Sequence, residues 1–179
     1  MTPTEFASKV LNFSLSIANS RDARDEMGAL VLFYAYTDAL GSLLRPKTEK
    51  KTSSAYFKRY VREFILANSK LPVTEDDLWG ARCGMLHTFS PYSELTEGAI
   101  PRARKVVYVK SPRQAELASL AFADKPGSNL VFIDSFDLFN AFIEGAVAFG
   151  KKIASDTLFA ESVLFHADHF FDEFQIKPA

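Results

Sequence analysis

The sequence predicts a mainly α protein, an up-and-down helical bundle that carries a small two-stranded β insertion. Apolar residues recur at helical spacing toward both ends of the chain, whereas Pro and Gly punctuation gathers between residues 91 and 135, where two short β-branched runs also fall. With 179 residues and 47% hydrophobic content the chain can bury a sizeable core, and nothing in it demands a second domain. Residues 1–179 therefore read as one helical domain with an insertion at about 91–135.

Thr4 to Ala18 places Phe6, Val10, Phe13 and Ile17 four, three and four residues apart, the stripe of a first amphipathic helix. Arg21 to Glu26 reads as the charged start of a second. The centre of that second helix, Ala29 to Tyr36, is apolar on every side, which predicts a central helix buried all round. Asp38 follows directly. A carboxylate there needs hydrogen bonds or a cation, so its role is either a structural polar contact or the orientation of a functional side chain. Gly41 and Arg45-Pro46 end the helix, and Arg45, Lys47, Lys50 and Lys51 then form a basic loop, read as a solvated turn or a phosphate contact. Ser53 or Ser54 caps a third helix with Phe57, Tyr60, Val61 and Phe64 as its inner stripe.

Asn68 to Pro72 leads into the stretch on which a functional reading rests, Asp76 to His87. The acidic residues after Val73-Thr74 suit the first turn of a helix beginning near Glu75, capped by Thr74 or Asp76. Leu78, Met85 and Leu86 face a core at helical spacing, and Ser90-Pro91 ends the run, which leaves His87 in the last turn. Arg82 and His87 are five residues apart, about 140° around an ideal helix, so a second surface is expected to complete any site they share. Gly80 and Gly84 lie on one side of the same helix. Beside Trp79, they are expected to admit either a second protomer or the chain's own third helix.

In the insertion, Lys105 to Val109 and Asn129 to Ile133 are the predicted strands, read as an antiparallel pair. Gln114 to Phe122 forms a short helix between them, and Lys125 to Ser128 a turn. Arg102, Arg104, Lys105, Lys110 and Arg113 make the segment basic, which suits charged edge protection or RNA contact. From Asp134-Ser135 a helical face runs through Phe139, Phe142, Ala146 and Ile153. An unbroken helix to Phe174 would exceed about 50 Å, so a break is expected near Ser155-Asp156, with Ser155 capping a last helix containing Leu158, Val163, Phe165, Phe170 and Phe171. The 17 phenylalanines are spread over the helices as core.

The run Arg82-Cys83-Gly84-Met85-Leu86-His87, at the end of an acid-started helix, resembles the Arg-x4-6-His signature of the HEPN superfamily, and Leu30 to Leu40 is similar to the early bundle helix of such proteins. The likeness spans roughly residues 22–90. It implies a helical bundle and metal-independent cleavage of RNA, with His87 moving the proton as a ribose 2′-hydroxyl attacks the adjacent phosphate and Arg82 holding the phosphate oxygens; the angular separation of Arg82 and His87 adds the expectation of a site shared by two protomers, and so of a homodimer. Asp38, Cys83 and Gly84 would support that pair, Arg45, Lys47, Arg102, Arg104 and Lys105 are candidate RNA contacts, and an antitoxin-type protein is a candidate partner. Cys83 stands where active members often carry a polar residue, and Phe89 where some carry a tyrosine. Those two positions motivate the alternative, a catalytically silent module that binds a nucleotide, RNA or protein.

The remaining chemistry is mostly excluded. A formal net charge of −1 gives no overall pull on nucleic acid, so RNA binding needs a local patch, and no DNA sequence-reading motif is evident. One cysteine allows no internal disulfide, in keeping with a reducing compartment. Cys83 beside Arg82 is either a thiol of lowered pKa or a small buried residue. His166 and His169, near Asp168 and Asp172, lack evident third and fourth metal ligands, and no phosphate-binding or dinucleotide loop is present, so no metal and no cofactor is expected. No apolar run approaches a membrane span; a soluble, cytoplasmic protein is the expectation.

Overall fold

Thr2 starts the first helix: its hydroxyl accepts from the Glu5 N–H at 3.2 Å, and the Glu5 carboxylate accepts from the Thr2 N–H at 2.7 Å. The computed structural model describes residues 2–67, 69–88, 90, 92–97, 102–125 and 128–167. Among them the chain is a mainly α bundle with a two-stranded sheet inserted before its last two helices. The order is α1 (Pro3–Asp22), α2 (Glu26–Ser42), α3 (Ser54–Tyr60) running on into a π-helical turn (Val61–Ile65), α4 (Glu75–Thr88), β1 (Lys105–Val109), α5 (Pro112–Phe122), β2 (Leu130–Asp134), α6 (Ser135–Ser155) and α7 (Thr157–Ala167). No described helix is long and apolar enough to cross a membrane. Phe89, Pro91, Pro126-Gly127, Phe170 and Phe171 lie outside the described residues.

The charged run Arg21 to Glu26 divides between two helices. Arg21 and Asp22 close α1, Arg24 takes a left-handed conformation with φ 61°, and Asp25 caps α2 by accepting from the Gly28 N–H at 2.8 Å. The left-handed residue ends one helix and re-aims the chain for the next. α2 is not buried all round: Phe33, Tyr34, Thr37 and Leu40 are fully buried, but Val31, Leu32, Ala35 and Tyr36 only partly so. Part of that flank is covered by α1, whose Phe13 ring stacks on Tyr36 at 4.1 Å.

The helix that gathers the core is α6. Its Phe149 meets the rings of Phe6, Tyr60, Phe64 and Phe159, and its Phe139 and Phe142 both meet Phe33 of α2. Gly145 lets α6 lie against the backbone of the π-helical turn, where an added Cβ would meet the Phe64 carbonyl oxygen at 2.8 Å. The expected break before the last helix is present. Its cap, however, is Asp156, which accepts from the Phe159 N–H at 3.0 Å, while the Ser155 hydroxyl turns back to the Lys151 carbonyl. Not every phenylalanine is core: Phe136 and Phe165 are about half exposed, as is Leu158 to a greater degree.

The two strands are parallel, in register Lys105↔Leu130 to Val109↔Asp134, not antiparallel. α5 is the reason. An 11-residue helix carries the chain back to the end from which β1 started, so β2 must run in the same direction, as in a βαβ unit. Two contacts tie the insertion to the bundle: the hydroxyls of Tyr34 and Tyr108 bond to each other, and Asp77 of α4 grips Arg104; within the insertion, Asn129 donates to the Ala103 carbonyl at 2.8 Å. Burial, and for Tyr34 also the neighbouring phenol, pushes both tyrosines above their ordinary range.

Gly80 and Gly84 receive neither a second protomer nor the third helix. A Cβ on Gly80 would meet Ala103 and Thr96 at 3.1 and 3.2 Å, and one on Gly84 would meet the Ser90 and Tyr92 carbonyl oxygens at 2.2 and 2.9 Å. The segment after α4 folds back over its own helix and uses the space. Gly84→Ala is therefore expected to lower stability by about 1–3 kcal/mol, because backbone rather than a flexible side chain must move. Denaturant unfolding of the variant, with oligomeric state unchanged from the wild type, checks it.

Candidate functional site

The end of α4 is organised from its beginning. Thr74 and Asp77 form a reciprocal cap, the Asp77 N–H donating to the Thr74 hydroxyl at 3.2 Å and the Thr74 N–H to the Asp77 carboxylate at 2.9 Å. Leu78, Ala81 and Met85 then face the core, which leaves Trp79, Arg82 and Cys83 half-buried along its flank and His87 exposed. Trp79 packs on Phe57 of α3, and its indole face lies under the Arg82 guanidinium at 5.1 Å.

Arg82 joins the group. Its Nη2 donates to Asp38 Oδ2 at 2.6 Å, and its Nη1 lies 3.2 Å from His87 Nε2. Arg82 and Asp38 are largely buried, at 17% and 27% side-chain exposure, while His87 is exposed. The angular separation around the helix is thus bridged within one chain by the length of the arginine side chain, and no second surface is needed to bring the two residues together. Because a guanidinium can only donate, Nε2 is the accepting nitrogen of His87 and its ring proton sits on Nδ1. Asp38 pairs with a cation, the Arg82 guanidinium, as a partly buried carboxylate in this position requires.

Cys83 borders the group but is no activated thiol. Burial pushes its pKa up, and this outweighs the opposing pull of Arg82. Lys58 of α3 pairs with Asp76 at 2.5 Å close by.

The other candidate residues are scattered. Arg45 donates from Nη1 to the Ser42 carbonyl at 2.7 Å, closing the end of α2, and the His166 ring nitrogen lies 3.1 Å from the Arg45 carbonyl oxygen. Lys47 is exposed, 5.7 Å from the Phe165 ring. Arg102 is exposed on the insertion. Lys105 pairs with Glu97 at 3.3 Å and lies over the Tyr92 ring at 4.2 Å. Arg104 is engaged by an acid: its backbone N–H, Nε and Nη2 all bond Asp77, at 2.7, 3.1 and 2.6 Å, and Nη2 also reaches the Pro72 carbonyl. These basic residues form no single patch with Arg82 and His87. Among the described residues no group of three or more metal-ligating side chains converges, and His169, Asp168 and Asp172 lie outside them.

Sequence reasoning missed Trp79 as the platform under Arg82 and Asp77 as the clamp on Arg104. Both had a legible signal: Trp79 sits three residues before Arg82 on a helix, and Thr74-x-x-Asp77 is a capping-box spacing. No protein-family model, curated protein or solved structure matches the chain.

Proposed function

We propose that the chain is a HEPN-like, metal-independent endoribonuclease. The observation that carries this reading is the contact between Arg82 and His87, one a fixed cation and the other an exposed proton acceptor, on a helix end held by Asp38 and Trp79. An RNA phosphate would compete for Nη1 of Arg82. Its arrival would release the Nε2 lone pair of His87 to take the proton of the adjacent ribose 2′-hydroxyl. The 2′-oxygen then attacks phosphorus, the P–O5′ bond breaks, and the leaving 5′-oxygen takes the proton that His87 carries, so the products end in a 2′,3′-cyclic phosphate and a 5′-hydroxyl. Arg82 holds the non-bridging oxygens as charge builds on them. With Arg82 and His87 in contact within one chain, their angular separation no longer calls for a homodimer; a homodimer and an antitoxin-type partner stay proposals, for which sedimentation and co-purification are the tests.

The test is cleavage of a labelled single-stranded RNA with chelator present. Wild type is expected to leave 2′,3′-cyclic ends, and His87→Ala none above background; equal activity in the two would place the cleavage elsewhere. A second reading, a silent module that binds a nucleotide, RNA or protein without cutting, is favoured by the Asp38 carboxylate, which already occupies one edge of the guanidinium. It predicts RNA retained by the wild type in the same assay with no cyclic ends formed.

A further inference from the structure

Beside the free edge of β1 lies a second feature, which the ribonuclease reading does not use and on which it does not depend. Among the described residues the sheet has two strands, so β1 pairs on one side. The Lys105 N–H donates to the Asn129 carbonyl at 2.8 Å, which fixes the alternation: Lys105, Val107 and Val109 bond toward β2, while the N–H and C=O groups of Val106 and Tyr108 point the other way. No described residue takes up those outward groups. The same stretch, Val106 to Tyr108, lines a cleft of about 580 Å³ together with Met27, Leu30 and Met85. That volume falls within the range of ligand pockets, and its polar groups are those of an unfilled strand position.

The lining decides what can enter. Residues at the start of α2, Arg24 to Leu30, and in the body of α4, Ala81 and Met85, line the same cleft as the strand edge, an arrangement that suits a single extended segment. The charges decide its sign. Four charged residues line the rim, Arg24, Asp25, Glu26 and Lys110. Asp25 caps α2 through the Gly28 N–H, and Glu26 accepts from the Ser135 hydroxyl at 2.6 Å, with both carboxylates at the positive end of the α2 dipole. The side chains of Arg24 and Lys110 have no partner among the described residues.

The geometry points to a peptide-docking site: an extended acidic segment of a partner protein adds to β1 as a third strand, its alternate apolar side chains against Met27 and Met85 and its carboxylates at Arg24 and Lys110. Methionine suits a surface that must accept varied side chains.

The experiment pans a displayed library of random seven-residue peptides on the full chain and measures the leading peptide by fluorescence polarisation. The expected pool alternates apolar and polar residues with Asp or Glu at one end. N-methylation of successive peptide amides is expected to weaken binding at every second position only, which is the signature of strand addition. Arg24→Asp combined with Lys110→Glu, two exposed changes of which Asp tolerates the left-handed conformation at 24, should weaken binding about tenfold. An empty pool overturns the proposal. So do apolar residues at helical three-and-four spacing, equal sensitivity at all amides, or affinity unchanged in the double variant. A wild-type dimer that the peptide dissociates would instead assign the edge to a second copy and equally overturn it.

Discussion

Asp77→Ala is expected to lower the unfolding free energy by about 3 kcal/mol, the low end of the range for breaking a buried ion pair. Asp77 is 3% exposed and accepts from Thr74 and from three N–H groups of Arg104, so its loss frees the start of α4 and orphans the cation that fastens the insertion. The low end applies because the Arg104 side chain is 40% exposed and water can take part of its charge. The same carboxyl gives a pH signature. Burial raises its pKa, but the Arg104 and Thr74 hydrogen bonds and the Arg104 charge outweigh burial, and the net position is below the ordinary 3.8. A depressed carboxyl contributes stability that is complete above its unfolded pKa and is lost as pH falls through the folded value. Denaturant unfolding from pH 7 downward should show wild type and variant converging below about pH 4. A constant gap across that range would remove Asp77 as its source.

The bundle was legible because its helices advertise themselves locally. The stripe of α1, the inner face Phe57, Tyr60, Val61, Phe64 and the acid-started α4 each follow from spacing, and their inner residues are buried, Phe13 and Leu86 only partly so; Ser53 stands at the start of α3 without a side-chain capping bond. What spacing cannot carry is direction and reach. The strands Lys105–Val109 and Leu130–Asp134 were recognisable as strands, but their parallel pairing depends on how α5 packs on them, a tertiary fact. Arg82 and His87 were legible as residues, yet their angular separation counted Cα directions and ignored an arginine side chain long enough to cross between them. Gly84 was legible as a close approach, while the identity of the approaching backbone, Ser90 and Tyr92, was not. The basic residues misled for a similar reason: charge in sequence says nothing of whether a cation is free, and Arg104 is held by an acid 27 positions earlier.

Arg82→Ala is expected to cut the proposed RNA cleavage by about 10²–10³-fold, the loss typical of one donor that stabilises charge in a transition state. It should also cost about 1–2 kcal/mol of stability, since Asp38, 27% exposed, keeps a carboxylate that has lost its hydrogen-bond donor. These two effects need separating, and Arg82→Lys does so. A lysine can restore the ion pair with Asp38, but its three N–H groups sit on one nitrogen and cannot span Asp38 and His87 as Nη2 and Nη1 do, nor grip two phosphate oxygens in the arginine plane. Stability should therefore recover most of the way while cleavage stays low. The measurement is a thermal or denaturant melt beside single-turnover cleavage of one labelled RNA for wild type, Arg82→Ala and Arg82→Lys. If Arg82→Lys regains activity in step with stability, the guanidinium is only a structural partner of Asp38, and the site must be sought away from the end of α4.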